Sequence, residues 1–237
     1  MRNLQMDDLF SLPEGHFVKP DAALYEQALK MAANGIGGAE IYTFLQTEVP
    51  PPEGQLWCRL DGRDRLCGVY LFNGRRLVCM DADGDPYPEL HVLNMQTPPE
   101  NPPRQTRPLT KEHVRQIWLL HDGKDTLSEA DEIRYVRRVK AMNRGLCAGV
   151  GCFDGSGALV SFAWITAQNR DTALIGDVFT VPEARGNGLA RSCILTLCRR
   201  AFDDSKTPYV LCRDERLTFY EEIGFREEKK QSNKEKK

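Results

Sequence analysis

Long apolar runs are missing from this 237-residue chain. None approaches the roughly 18 residues that a membrane-spanning helix needs, so no membrane partner is expected. The opening residues, Met1 to Asp8, bring acid where a secretory leader wants a basic and then an apolar segment, which makes a cytoplasmic location the expectation. Basic excess is missing too: 32 Lys and Arg stand against 34 Asp and Glu, a formal net charge of −2. That balance disfavours a nucleic-acid partner. Histidine is scarce, and the eight cysteines include no Cys-x-x-Cys pair. Without paired ligand spacings no metal is expected, and the thiols read as reduced, buried small hydrophobes. The acidic run Asp81-Ala82-Asp83-Gly84-Asp85 has its glycine fourth rather than sixth, so it fails as a calcium loop and reads as a turn.

What is present is an ordinary globular composition, 41% apolar and 28% charged, long enough for one or two domains. Residues 96–108 hold five of the fourteen prolines and are the best linker. The expected division is an N-terminal α+β domain at 1–103 and a second domain at 104–237. The fold class is α+β with a mixed sheet.

In the first part, residues 1–19 are weakly patterned. Asp21 can cap a helix through about Ala33, and the glycines of 34–38 read as its stop. A short helix at 39–46 follows, then a break at Pro50-Pro51-Pro52. Three strand-like runs, 55–60, 66–72 and 75–80, come next, with Asp61-Gly62 and Asn73-Gly74 between them as hairpin signals.

In the second part, Thr110 can cap a helix carrying Val114, Ile117 and Trp118. A further helix at 128–142 shows the stripe Ile133, Val136 and Val139. His113 and His121 lie on or beside the first helix, where an exposed histidine is commoner than a catalytic one. Three strands follow at 146–153, 159–167 and 172–181. A helix at 189–202 buries Ala190, Cys193, Ile194, Leu197 and Ala201 and turns Arg191, Ser192, Arg199 and Arg200 outward. A strand at 209–212, a helix at 215–222 and a lysine-rich tail complete the chain.

The informative stretch is Val178-Phe179-Thr180-Val181-Pro182-Glu183-Ala184-Arg185-Gly186-Asn187-Gly188-Leu189-Ala190. It reads as strand, short glycine-containing turn, helix. Such a turn aims backbone N–H groups at one point, at the positive end of a helix dipole, which suits a phosphate or pyrophosphate. A P-loop would need Gly-Lys-Ser/Thr, which is absent. A dinucleotide fingerprint would need a third glycine where Arg191 stands. Arg185-Gly186-Asn187-Gly188-Leu189-Ala190, read as Arg-x-x-Gly-x-Ala, instead resembles the acetyl-coenzyme A signature of the GCN5-related N-acetyltransferases. Downstream, Phe219-Tyr220-Glu221-Glu222-Ile223-Gly224-Phe225 resembles that family's second signature, Phe-Tyr-x-x-x-Gly-Phe. The order of elements from 104 to 230 is also similar to the family fold. Two departures stand out: Arg213 occupies a position where the family often has Asn, and the final apolar strand is replaced by the lysine-rich tail. The helices-then-meander order of the first part resembles the first half of the same fold. A degenerate tandem copy is therefore expected there, with an unrelated α+β extension as the alternative.

The resemblance implies acetyl-coenzyme A as cofactor. The backbone of Arg185, Gly186, Asn187, Gly188, Leu189 and Ala190 would hold the pyrophosphate. The open edge of Val178, Phe179, Thr180 and Val181 would pair with the pantetheine amides, and an N–H near Val178 or Phe179 would meet the oxyanion. Tyr220 is the implied acid for the departing thiolate, and Asp177 is the candidate base. The acceptor would be a primary amine of a small molecule or peptide, bound in the cleft between the halves if both are copies. A non-catalytic acyl-coenzyme A binder is the alternative. Monomer and homodimer both stay open.

Overall fold

The computed structural model describes residues 16–48, 54–72, 77–81, 87, 90–122, 126 and 128–228. The expectations for residues 1–15, 50–52, 73–74, 82–85 and the tail from 229 lie outside the described residues. In chain order the elements are β1 (His16–Val18), α1 (Ala22–Met31), α2 (Ile36–Thr47), β2 (Leu56–Leu60), β3 (Leu66–Phe72), β4 (Leu77–Asp81) and β5 (His91–Asn94). Then come β6 (Arg107–Leu109), α3 (Lys111–Asp122), α4 (Glu129–Asn143), β7 (Ala148–Phe153), β8 (Leu159–Gln168) and β9 (Thr172–Thr180). The chain closes with α5 (Leu189–Asp203), β10 (Thr207–Cys212), α6 (Asp214–Ile223) and β11 (Arg226–Glu227).

One pattern is written twice. β1, α1, α2, β2, β3, β4 and then β6, α3, α4, β7, β8, β9 each run strand, two helices, three strands, with all sheet neighbours antiparallel. The first set makes a four-stranded sheet; the second belongs to a seven-stranded sheet ordered β11-β5-β10-β9-β8-β7-β6. The mixed α+β architecture and the repeated copy agree with the sequence reading. β1 and β6 fall in stretches read there as irregular and as linker.

Local chemistry explains most boundaries. The Asp21 carboxylate accepts the Leu24 N–H at 2.8 Å and starts α1. Ser128 and Asp131 form a capping box at the start of α4. The glycine stop after α1 needs a correction: α2 begins at Ile36, not Ala39, with Gly35 at φ 74° as its N-cap. Gly38 is inside the helix because a Cβ there would stand 2.4 Å from the Ala32 carbonyl oxygen. The glycine lets α2 pass close to the end of α1.

The missing final strand is supplied from elsewhere in the chain. β5 lies between β10 and β11 and is antiparallel to both, with Tyr209 opposite Asn94 and Glu227 opposite Leu93. A strand that precedes the Pro-rich segment thus completes the sheet that follows it, and Leu93 and Met95 join that sheet's core. The sequence division at 103/104 is one the sheet crosses.

The second copy is layered. One face of its sheet packs on α5 and α6 through Ile175, Ile194, Leu197, Val210 and Phe225. The other packs on α3 and α4 through Ile117, Trp118, Phe162 and Trp164. α1 and α2 cover the four-stranded sheet. The halves are pinned at the β8–β9 turn. There Gln168 N–H donates to Thr43 Oγ1 at 2.9 Å, and Asn169 Nδ2 donates to the Ala32 and Gly35 carbonyls at 3.1 and 2.9 Å. The expected apolar stripe of α4 is not buried: Ile133 and Val136 are each 49% exposed. Arg134, Arg137 and Arg138 take the inward side instead.

Candidate active site

β9 and β10 run parallel and pair from Thr172 opposite Thr207 to Ile175 opposite Val210. Beyond Ile175, β9 continues to Thr180 while β10 pairs on with β5, so the two strands part. On its other side β9 keeps β8, with a bulge. Phe179 faces Phe162 and Gly176 faces Trp164, leaving Asp177 and Val178 together opposite Ala163. A bulge leaves a ladder group unpaired. Asp177 sits there at φ 47°, in the left-handed region, a strain of about 1–3 kcal/mol that persists only where the surroundings impose it.

A cleft of about 780 Å³ opens at this edge. Val178, Phe179 and Thr180 line it from the strand, and Arg185, Gly186, Gly188, Leu189 and Ala190 from the turn. Arg191 of α5 and Arg216, Phe219 and Tyr220 of α6 complete it. Two expected cofactor residues stand apart. The Val181 N–H donates to the Val160 carbonyl at 3.0 Å, so it continues the pairing with β8. Asn187 folds the turn, its Nδ2 donating to the carbonyls of Ala184 and Arg185 at 3.2 and 3.3 Å.

The turn leaves backbone N–H groups open. Gly186 and Gly188 have φ of 78° and 72°, with open space where a Cβ would stand. Among the described residues, the N–H groups of Gly186 to Arg191 donate to no backbone carbonyl. Those at the start of α5 point out of the helix N-terminus. Arg191 and Arg216 add cationic side chains to the same cleft. Ser192, read from the sequence as outward-facing, is fully buried, and its hydroxyl donates to the Gly188 carbonyl at 2.9 Å. It also accepts the Arg104 N–H at 3.1 Å, so the Pro-rich segment straps the turn.

Tyr220 is 9% exposed and packs edge-on against Phe219 and Phe225. Burial pushes its hydroxyl up to about 12, with Cys212 adding to the shift and Arg216 opposing it. It stays neutral over the ordinary pH range and donates a hydrogen bond rather than holding charge.

A second cavity, about 500 Å³, lies between the halves. Glu40, Thr43, Phe44 and Thr47 of α2 form one wall; Trp118 of α3 and Arg134, Arg137 and Arg138 of α4 form another. β9 lines it from Leu174 to Asp177, and Leu211 of β10 closes it. The two linings are therefore consecutive on one strand, one ending at Asp177 and the other starting at Val178. Asp177 faces the cavity, and its Oδ2 accepts from Arg138 Nη2 at 2.5 Å. His113 is outside both spaces. Its Nδ1 accepts the Thr110 N–H at 3.1 Å, which ties down the start of α3. The side chain of His121 lies outside the described residues.

Arg216, Arg104 and the α2 wall were not singled out from sequence. Arg191 was noted only as a surface residue, although a cation in the first turn after an anion-binding loop is a readable signal. Arg216 and α2 carry no local pattern that marks them.

The model of the Acetyltransferase (GNAT) family matches residues 111–225. Among solved structures, a tandem GNAT protein from the clavulanic acid biosynthesis pathway aligns over 90% of this chain and 95% of its own (TM-score 0.55, 16% identity). A GCN5-related N-acetyltransferase-like protein from Streptococcus suis 89/1591 aligns over 88% of this chain and 96% of its own (TM-score 0.52, 14% identity). A GNAT-family chain from Novosphingobium aromaticivorans DSM 12444 aligns over 59% of each chain, so this chain spans 59% of that one's length (TM-score 0.46, 20% identity). No curated protein matches. With the glycine turn, the parted strands and the repeated half-fold in place, residues 111–225 belong to the acetyltransferase (GNAT) family, whose acyl donor is acetyl-coenzyme A.

Proposed function

We propose that this chain is an acetyl-coenzyme A-dependent N-acyltransferase that moves an acetyl group directly to a primary amine of a small molecule or peptide. The observation that carries the reading is that two cavities are lined by consecutive residues of one strand, Asp177 and Val178, where β9 and β10 part. A binder that only senses the coenzyme needs the cleft; it does not need a second polar cavity at the point where the acyl group would emerge.

The residues present fit the coenzyme. The unpartnered N–H groups from Gly186 to Arg191 accept a pyrophosphate at the dipole end of α5, with Arg191 and Arg216 beside it. The open edge of β9 from Val178 to Thr180 offers strand-like pairing to an extended amide chain. Bound there, acetyl-coenzyme A supplies an acyl thioester. The bulge at Asp177 and Val178 frees a ladder group, and a backbone N–H at this point is the oxyanion donor. Tyr220 reaches the cleft from α6 and hydrogen-bonds the departing sulfur. An ordinary thiol has a pKa of about 8.5, so a hydroxyl held near 12 steadies a thiolate mainly by that bond, without giving up its proton outright. Asp177 is the candidate base: it faces the acceptor cavity, and Arg138 fixes its carboxylate. Residues 1–103 and 104–237 are read as the two units, with the acceptor held between them.

The test is release of free thiol from acetyl-coenzyme A across a panel of amines. Wild type is expected to turn over at least one, and Tyr220→Phe to lose about 10²-fold in kcat while still binding the coenzyme. Coenzyme binding with no turnover on any amine would replace this reading by the non-catalytic binder. Asp177→Asn should lower kcat about 10²-fold while coenzyme binding is kept; an unchanged kcat assigns the base elsewhere.

A further inference from the structure

On the arginine face of α4, the chemistry above uses only Arg138. Arg134, Arg137 and Arg138 lie at i, i+3 and i+4, so they share one side of the helix, and all three line the cavity between the halves. The helix holds that face inward while Ile133 and Val136 stand 49% exposed. Burying a Val or Ile side chain is worth about 1.5–3 kcal/mol, so apolar packing by itself favours the opposite rotation. The guanidinium groups are also pre-oriented. Arg134 lies over the Trp118 ring at 5.3 Å, Arg137 over Phe44 at 5.8 Å and Arg138 over Trp164 at 5.1 Å. Stacking fixes the plane of a guanidinium and leaves its N–H edge available.

Their neutralisation is unequal. Arg134 is paired with Asp131, and Arg138 with Asp177. Among the described residues, Arg137 has only the carboxylate of Glu48, whose Oε1 is 3.7 Å from its Nε and also 3.6 Å from Lys140 Nζ. One carboxylate between two cations leaves positive charge over. Of its five N–H donors, Arg137 commits one to Gln55 Oε1 at 3.2 Å. Glu40, on the α2 wall of the same cavity, supplies a negative group.

We propose that this cavity takes an amine acceptor bearing an anionic group, a carboxylate or a phosphate, and that Arg137 is the residue that selects it. The guanidinium fork matches either anion in a two-point geometry. Glu40 favours the ammonium end of the same molecule. The volume of about 500 Å³ suits a small molecule. The proposal rests on the acyltransferase reading only in calling the ligand an acceptor; the binding preference stands apart from it.

The experiment is calorimetric binding of matched ligands to the full chain and to Arg137→Gln. Phenylalanine is set against phenylalaninamide for the carboxylate, and phosphoethanolamine against ethanolamine for the phosphate. Wild type should bind the anionic member of at least one pair at least tenfold more tightly. Arg137→Gln should reduce that preference to under threefold while keeping its melting shift with acetyl-coenzyme A. Should Arg137→Gln lose that shift, Arg137→Lys decides: with charge kept and the fork lost, the preference should fall at least threefold. Equal or tighter binding of the neutral members, binding of none, or a preference that survives the deciding variant overturns the proposal. Selective binding without acetylation would overturn the acyltransferase reading and leave this one standing.

Discussion

Gly188 carries two constraints at one residue. Its φ of 72° is left-handed, and the site it borders needs backbone N–H groups within reach of an anion. Gly188→Glu adds strain of about 1–2 kcal/mol and puts a negative charge where phosphate would sit. Its melting temperature is expected to stop responding to acetyl-coenzyme A, whereas wild type at ~100 times the dissociation constant should gain about 2.7 kcal/mol. An unchanged response would move the site elsewhere. Gly149 is a different case. It lies in the strand β7, where no sequence motif marks it. In the structure, a Cβ there would stand 2.7 Å from the Trp164 indole. Gly149→Val should lose about 1–3 kcal/mol in urea unfolding, because the indole is 1% exposed and has nowhere to move. Only its neighbour across the sheet, Trp164, explains why glycine stands here.

At the scale of elements, candidate caps at Asp21 and Thr110 made α1 and α3 readable, and strand-like runs bounded by turn signals made β2, β3, β7, β8 and β9 readable. The facing of α4 was not. Its Ile133, Val136 and Val139 have the helical spacing of a buried stripe, but the neighbouring half offers acids and aromatic rings on the other side. Ile133→Lys with Val136→Lys is therefore expected to change stability by less than about 0.5 kcal/mol. A loss of several kcal/mol in chemical unfolding would restore the stripe reading. The four-stranded sheet holds a buried charge pair that no pattern announced. Arg59 grips Asp81 through Nε at 2.7 Å and Nη2 at 2.6 Å, with side chains 9% and 4% exposed. Removing one partner leaves the other charged and buried, so Asp81→Asn should cost about 3–5 kcal/mol in chemical unfolding. A cost below about 1 kcal/mol would show that the pair is hydrated in solution.

Across the whole molecule, β5 joins the two copies. It fills the slot between β10 and β11, so residues 96–237 alone would leave the β10 edge bare. That fragment is expected to aggregate or to show no melting shift with coenzyme, while residues 86–237 regain the strand. Equal behaviour of the two would mean that β5 is dispensable. His91 on β5 adds a pH-dependent tie. Its Nδ1 meets Glu227 at 2.7 Å and its Nε2 meets Asp214 at 2.6 Å. The hydrogen bond to Glu227, then that to Asp214, raises its pKa above the ordinary value. The stabilisation is therefore complete below about pH 6.5, the unfolded value, and is lost as pH rises through the folded one. The melting temperature of wild type should exceed that of His91→Gln most near pH 6, with the gap closing by pH 9. A gap independent of pH would remove the charge from the explanation.

The sequence by itself determined the strand–turn–helix at 178–190, the paired signatures, the order of elements and the echo of one half in the other. All of these are local: capping groups, periodicity and short motifs act within a few residues of where they are written. Tertiary structure decided what depends on residues far apart in the chain. It inserted His91–Asn94 into a sheet whose other strands come after residue 106, because β10 had an open edge that a four-residue strand could satisfy. It turned the arginines of α4 inward, because their ionic and aromatic partners Glu48, Phe44, Trp164 and Asp177 lie on other elements. And it lined two cavities from consecutive stretches of one strand, with walls drawn from helices far apart in the chain.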